Sequence, residues 1–232
     1  MPIATDIYTP EWETCFEKVN FPNSIKGTYF IEGDLDGKHI SLSDKVENFE
    51  MFLGGNAPPQ YFDTLRTTRD TTIWGTPTVS FGNNSLGFNI NLNMPSFYID
   101  RKDIHLKKTL TEQYEKHTLS HLNVGDLPIL STDVNKFALT VHNTCYTNER
   151  PYGRGFMATS AWGEQKNSYI RLKSIKKRDA ISVYQSIYDV PLTDYELEFE
   201  FAVTLYKDPN GRHIWHTLSN GKMRAVLSFF NY

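Results

Sequence analysis

From Tyr195 to Leu205 the chain reads Tyr-Glu-Leu-Glu-Phe-Glu-Phe-Ala-Val-Thr-Leu, with Tyr195, Leu197, Phe199, Phe201, Val203 and Leu205 on one side of an extended backbone. Glu196, Glu198 and Glu200 fall on the other side. Successive side chains of a strand point to opposite faces, so this pattern specifies a long half-buried β-strand. A helix would scatter the same residues around its circumference. The chain is thus committed to a sheet with one apolar face.

Shorter runs of the same kind recur along the sequence. Gly27 to Gly33 and Lys38 to Leu42 flank Asp34-Leu35-Asp36-Gly37, a turn between two β-prone segments. Thr78 to Phe81, Leu86 to Leu92, Phe97 to Asp100 and Ile104 to Leu110 are further strand candidates, punctuated by Gly, Asn and Pro. Phe137 to Tyr146, Arg154 to Trp162, Ser168 to Ile175 and Ala180 to Tyr188 add four more. After Leu205, the Asp208-Pro209 and Asn210-Gly211 pairs supply turn chemistry, and Ser219-Asn220-Gly221-Lys222 reads as a second turn. The last part of the chain is therefore expected to form a three-stranded meander. Helical signals are confined to Thr5 to Val19 and, more clearly, Thr111 to Leu122.

About a dozen strands at spacings of about 8–12 residues make this an all-β chain. The expected fold is an antiparallel β-barrel of calycin-like type, or a two-sheet β-sandwich, carrying one or two short helices. No repeat or low-complexity block divides the 232 residues, and a single β-rich domain over 1–232 is expected.

Charge and targeting narrow the function classes. The 24 Lys and Arg residues against 27 Asp and Glu give a net charge of −3, too balanced for a protein that holds phosphate backbones, so no nucleic-acid partner is expected. No apolar run reaches the roughly 18 residues that span a bilayer as a helix. Met1 to Asp6 shows neither a secretory nor a transit pattern, and a cytoplasmic location is expected. Cys15 and Cys145 are the only cysteines, expected as free thiols.

No phosphate-cradling loop, Gly-x-Ser-x-Gly elbow, Cys-x-x-Cys pair or Walker lysine occurs, and no cofactor is expected. Aromatic residues make up 14% of the chain, and Trp and Tyr provide apolar walls with a polar handle. A barrel with such residues and no catalytic motif is most simply a lipocalin-like container for a small, largely apolar ligand. Trp74, Tyr152, Trp162 and Trp215 are its candidate ligand-binding residues. One alternative keeps the cavity and makes it a cofactor-independent lyase, isomerase or cyclase. Its acid and base groups would come from His142, Tyr146, Arg154, Glu164, His213 and His216, since imidazole titrates near neutrality. Another alternative is a lectin-like, toxin-like or viral structural sandwich, whose Asn, Thr and Tyr residues hydrogen-bond sugars or neighbouring subunits, with homo-oligomerisation allowed.

His117 and His121 stand four residues apart in the helical candidate, the spacing that aligns two imidazoles on one helix face. No metal signature surrounds them, and no metal site is assigned. Glu196, Glu198 and Glu200 are read as a solvated face with Arg171, Lys173, Lys176, Lys177 and Arg178 as cross-strand partners.

Overall fold

The computed structural model describes residues 20–21, 27–45, 49–54, 72–75, 77–83, 87–100, 107–129, 136–144, 155–178, 192–207 and 214–230. Their order along the chain is β1 (Phe30–Leu35), β2 (Lys38–Ser43), β3 (Phe49–Gly54), β4 (Thr72–Gly75), β5 (Thr78–Asn83), β6 (Phe88–Asn93), β7 (Phe97–Asp100), α1 (Lys107–His121), β8 (Gly125–Leu127), β9 (Ala138–Thr144), β10 (Gly155–Thr159), β11 (Tyr169–Arg178), β12 (Leu192–Tyr206) and β13 (Ile214–Phe230). Eleven strands form one antiparallel sheet along the path β2-β1-β13-β12-β10-β9-β6-β5-β3, with β11 branching from β12 and β8 from β11. β4 and β7 pair separately. The path folds back on itself: β2 lies against β5, and β13 against β3 and β5. The sheet is nearly closed into a barrel, the first of the two expected architectures.

Alternation does the work the sequence promised. Val79 and Phe81 of β5, Phe88, Ile90 and Leu92 of β6, Leu139 and Val141 of β9, and Phe199, Phe201, Val203 and Leu205 of β12 are all essentially inaccessible to solvent. Together with Ile31, Leu35, Ile40, Leu42, Leu218 and Met223 they form one continuous core. Each buried side chain of this size contributes about 1.5–3 kcal/mol of transfer free energy. Among the described residues, the interior face of the sheet is filled by its own side chains.

β12 ties the two parts of the sheet together. Its Asp194–Ala202 stretch pairs with β11, whereas Tyr206 pairs with Thr159 of β10, so one strand serves two neighbours in succession. The corner is fastened by the loop after β10. Gln165 donates through Nε2 to the carbonyls of Ser160 at 3.0 Å and Thr204 at 2.8 Å, and accepts from the Thr204 amide at 3.2 Å. The Tyr206 hydroxyl donates to the Glu164 carbonyl.

Two expectations are corrected here. Ser219-Asn220-Gly221-Lys222 does not reverse the chain, and β13 runs through it from Ile214 to Phe230. Asn220 adopts φ 52°, and the registers of both β1 and β12 against β13 slip at this point, which makes it a β-bulge. An Asn-Gly pair meets the demand for positive φ in either setting, and two flanking strands long enough to span it decide for the bulge. The strand expected over Ile104 to Leu110 is also overturned, since Lys107–Leu110 begin α1. The Asp36-Gly37 turn is as expected, with φ 49° and 81° at its two central residues, as a type I′ hairpin requires. The helix expected over Thr5 to Val19 and the strand over Ala180 to Tyr188 lie outside the described residues, as do Cys15 and Cys145.

α1 packs against β7 and β13. Its Tyr114 ring meets Phe97 at 5.6 Å and Phe229 at 5.9 Å between centroids, and the Tyr195 hydroxyl of β12 donates to Glu115 Oε1 at 2.7 Å. No helix among the described residues is long and apolar enough to cross a membrane.

A candidate binding face on β5, β6 and β9

β6 reads Phe-Asn-Ile-Asn-Leu-Asn. The apolar residues enter the core, so Asn89, Asn91 and Asn93 form a row on the opposite face. Register continues this row sideways. Thr78, Ser80 and Gly82 of β5 stand opposite Asn93, Asn91 and Asn89, while Thr140 and His142 of β9 stand opposite Asn91 and Asn89.

The first rung is closed internally. Thr78 Oγ1 donates to Asn93 Oδ1 at 3.1 Å, Asn93 Nδ2 donates to Thr140 Oγ1 at 3.1 Å, and Thr140 Oγ1 donates to Thr159 Oγ1 at 2.9 Å. Thr159 Oγ1 passes the chain on to the Leu139 carbonyl at 3.2 Å. The next two rungs differ. The side-chain oxygens of Asn89 and Asn91 are shielded from solvent and have no hydrogen-bond partner among the described residues. A buried acceptor left in this state costs about 1–3 kcal/mol, which makes a pair of them on one face a feature that requires an explanation.

His142 sits directly beside Asn89 and is half-buried. Desolvation holds its imidazole pKa below the ordinary value, so it is neutral at pH 7, with one nitrogen donating and the other accepting. Gly82, across from Asn89 on the other side, is buried, and the Asn89 side chain packs against it. A Cβ there would lie 3.4 Å from Asn89 Nδ2.

The remaining sequence candidates are dispersed. His216 is buried, and its Nδ1 faces Asp36 Oδ2, while Asp36 Oδ1 accepts from the Thr217 amide at 2.7 Å. This carboxylate–imidazole pair pins the β1–β2 turn to β13, with the imidazole on the same side of the strand as Leu218 of the core. Glu164 is exposed and pairs with Lys166 at 3.1 Å, and Trp162 is half-buried in the loop that fastens the β10–β12 corner. Trp74 belongs to β4 and Trp215 to β13. Tyr146, Tyr152, Arg154 and His213 lie outside the described residues. Of the named residues, His142 is the one that the described registers place on the Asn89–Asn91 face.

His117 and His121 do stack on one face of α1, with ring centroids 4.6 Å apart. One nitrogen of each is engaged elsewhere: His117 Nε2 donates to the Ser96 carbonyl at 3.1 Å, and His121 Nδ1 to the His117 carbonyl at 2.8 Å. No cluster of three or more metal-ligating side chains occurs among the described residues.

The glutamate face is solvated at Glu198 and Glu200, as expected, and buried at Glu196. Glu196 is only 3% exposed, held by Arg178 and, at 2.8 Å, by Arg224 from β13, whereas Lys173 pairs with Glu200 at 3.3 Å in the open. Burial alone would raise the Glu196 carboxyl, but hydrogen bonds from the two arginines overcome it and hold the pKa low. Asp194 beside it accepts from Ser228 Oγ at 2.6 Å through Oδ1, and desolvation raises its pKa.

Asn89 and Asn91 were missed by motif reading. The signal available for them was the repeated Asn in a strand whose alternate residues are Phe, Ile and Leu. No family model, curated protein or solved structure matches the chain.

Proposed function

We propose that this chain is a small-molecule-binding β-barrel protein that holds its ligand on the outer face of β5, β6 and β9, around Asn89, Asn91 and His142. The observation that carries the reading is the pair of solvent-shielded amide oxygens at Asn89 and Asn91, without partners among the described residues in a row whose third member, Asn93, has a partner at both its oxygen and its nitrogen. A ligand that brings donors to these oxygens recovers their desolvation cost.

A largely apolar ligand in the lumen, the container expected from composition, finds the interior positions of β5, β6, β9 and β12 taken by side chains such as Phe81, Phe88, Leu139 and Phe201. Support therefore moves from the inner face to the outer one. The reading stays with binding because the unpartnered amide oxygens carry it; His142 on β9, with Glu50 of β3 in the same row, supplies the titratable groups of this face.

Saturation-transfer NMR with a chemically diverse small-molecule library tests the proposal, run in parallel on the wild type and on Asn89→Leu/Asn91→Leu. Both substitutions lie on the non-core face, and circular dichroism checks the fold of the variant. Compounds that bind the wild type and lose their signal with the double variant are expected. A set of ligands indifferent to both substitutions overturns the reading.

A further inference from the structure

Building on that binding face, we infer that its ligand is a neutral hydroxyl-bearing molecule of the saccharide or polyol class. Asn89 and Asn91 are two residues apart on one strand, so their side chains emerge about 7 Å apart on the same face. Both present acceptors, so the ligand must present at least two donors at a comparable separation. Hydroxyl groups on a single six-membered ring supply that pattern.

Charge removes the main competitors. The described rows of this face contain Thr78, Ser80 and Gly82 from β5, three asparagines from β6, and Ala138, Thr140 and His142 from β9, with no lysine or arginine among them. Glu50 of β3, registered opposite Gly82, is the one residue with a formal charge in the row that contains Asn89. A phosphate, sulfate or carboxylate would enter with its charge unmatched, and carboxamide oxygens would repel it.

His142 adds a requirement of its own. The neutral imidazole next to Asn89 offers a donor and an acceptor, a combination answered by a hydroxyl, which is also both. An ammonium ion could satisfy Asn89 and Asn91 but has no acceptor to give. An aliphatic ligand would leave all three groups unpaired.

The experiment is a titration of the full chain, labelled with ¹⁵N, with four probe sets: neutral methyl hexopyranosides, hexose phosphates, alkylammonium ions, and cyclohexane-type apolar analogues made soluble by a short glycol. The readout is the shift of the Asn89 and Asn91 side-chain amide resonances. The expected result is saturable perturbation by one or more neutral pyranosides, weakened tenfold or more by Asn89→Ala or Asn91→Ala. Asn89→Asp, which keeps the acceptor, should retain more affinity than Asn89→Ala. Saturable perturbation by phosphates, ammonium ions or apolar analogues without any pyranoside response overturns the ligand class and leaves the binding face standing. No perturbation by any set overturns the class and the binding face together.

Discussion

Phe201 of β12 and Gly221 of β13 are direct cross-strand partners, and the Phe201 ring occupies the space where a Gly221 side chain would begin. The glycine lies immediately after the Asn220 bulge, and on its other side β1 contributes Gly33, whose own missing Cβ would lie 3.1 Å from the Ser219 carbonyl. A bulge flanked by glycines and covered by an aromatic ring bends a strand sharply without exposing its backbone.

Gly221→Ala should therefore destabilise the protein by about 1–3 kcal/mol, because a fully buried Phe201 ring has no free volume into which to retreat. Chemical denaturation measures this directly. Adding Phe201→Leu to Gly221→Ala should cost less than the two separate losses combined, since the leucine removes the clash. Additive losses would show that the ring and the glycine are not coupled.

The carboxylates on the outer face of β12 should give opposite pH signatures. Glu196 has a lowered pKa, so its stabilisation is present above the ordinary 4.5 and is lost as pH falls through the lowered value. Asp194 has a raised pKa, so its contribution is complete below 3.8 and is lost as pH rises through the raised value. Glu196→Gln should lower the denaturation midpoint at pH 7 and reduce the loss of stability on acidification. Asp194→Asn should leave stability at pH 7 equal or higher and remove part of the decline that accompanies rising pH above about 4.

Tyr195→Phe should cost about 1 kcal/mol through the lost hydrogen bond to Glu115. The effect should be local. Hydrogen exchange of α1 amides is expected to accelerate while that of β12 and β13 stays near wild type. Equal acceleration throughout would mean that the bond does not act as a tether for the helix.

Both His142 and His117 should titrate below 6.5 when followed by NMR. Burial lowers each of them, and the neighbouring His121 charge adds to the effect at His117. The stability these neutral rings contribute is present above 6.5 and is lost as pH falls through the lowered values, so the folded state should weaken on moving from pH 7 to pH 5. His142→Gln should remove part of that slope.

The sequence disclosed the barrel strands because their alternation is local: β12 and β6 each carry their inside and outside in a single run of residues. It did not disclose the Asn220 bulge, because Asn-Gly satisfies positive φ in a turn and in a bulge alike, and only β1 and β12 on either side distinguish them. His216 was legible as a titratable group, but its partner Asp36 comes from a turn 180 residues away, so its clamping role depended on tertiary pairing. The burial of Glu196 was hidden for the same reason, since Arg224 arrives from another strand. Asn89 and Asn91 are the reverse case. Their pattern was plainly visible, but only the contrast with the satisfied Asn93 gives it meaning.

The most direct measurement is a crystal structure of the protein soaked with the tightest-binding neutral pyranoside from the titration. The account predicts ring density with hydroxyls within hydrogen-bond distance of Asn89 Oδ1 and Asn91 Oδ1 and one hydroxyl on His142. Ligand density inside the barrel among Phe81, Phe88 and Leu139, with the Asn89–Asn91 face bare, would contradict it.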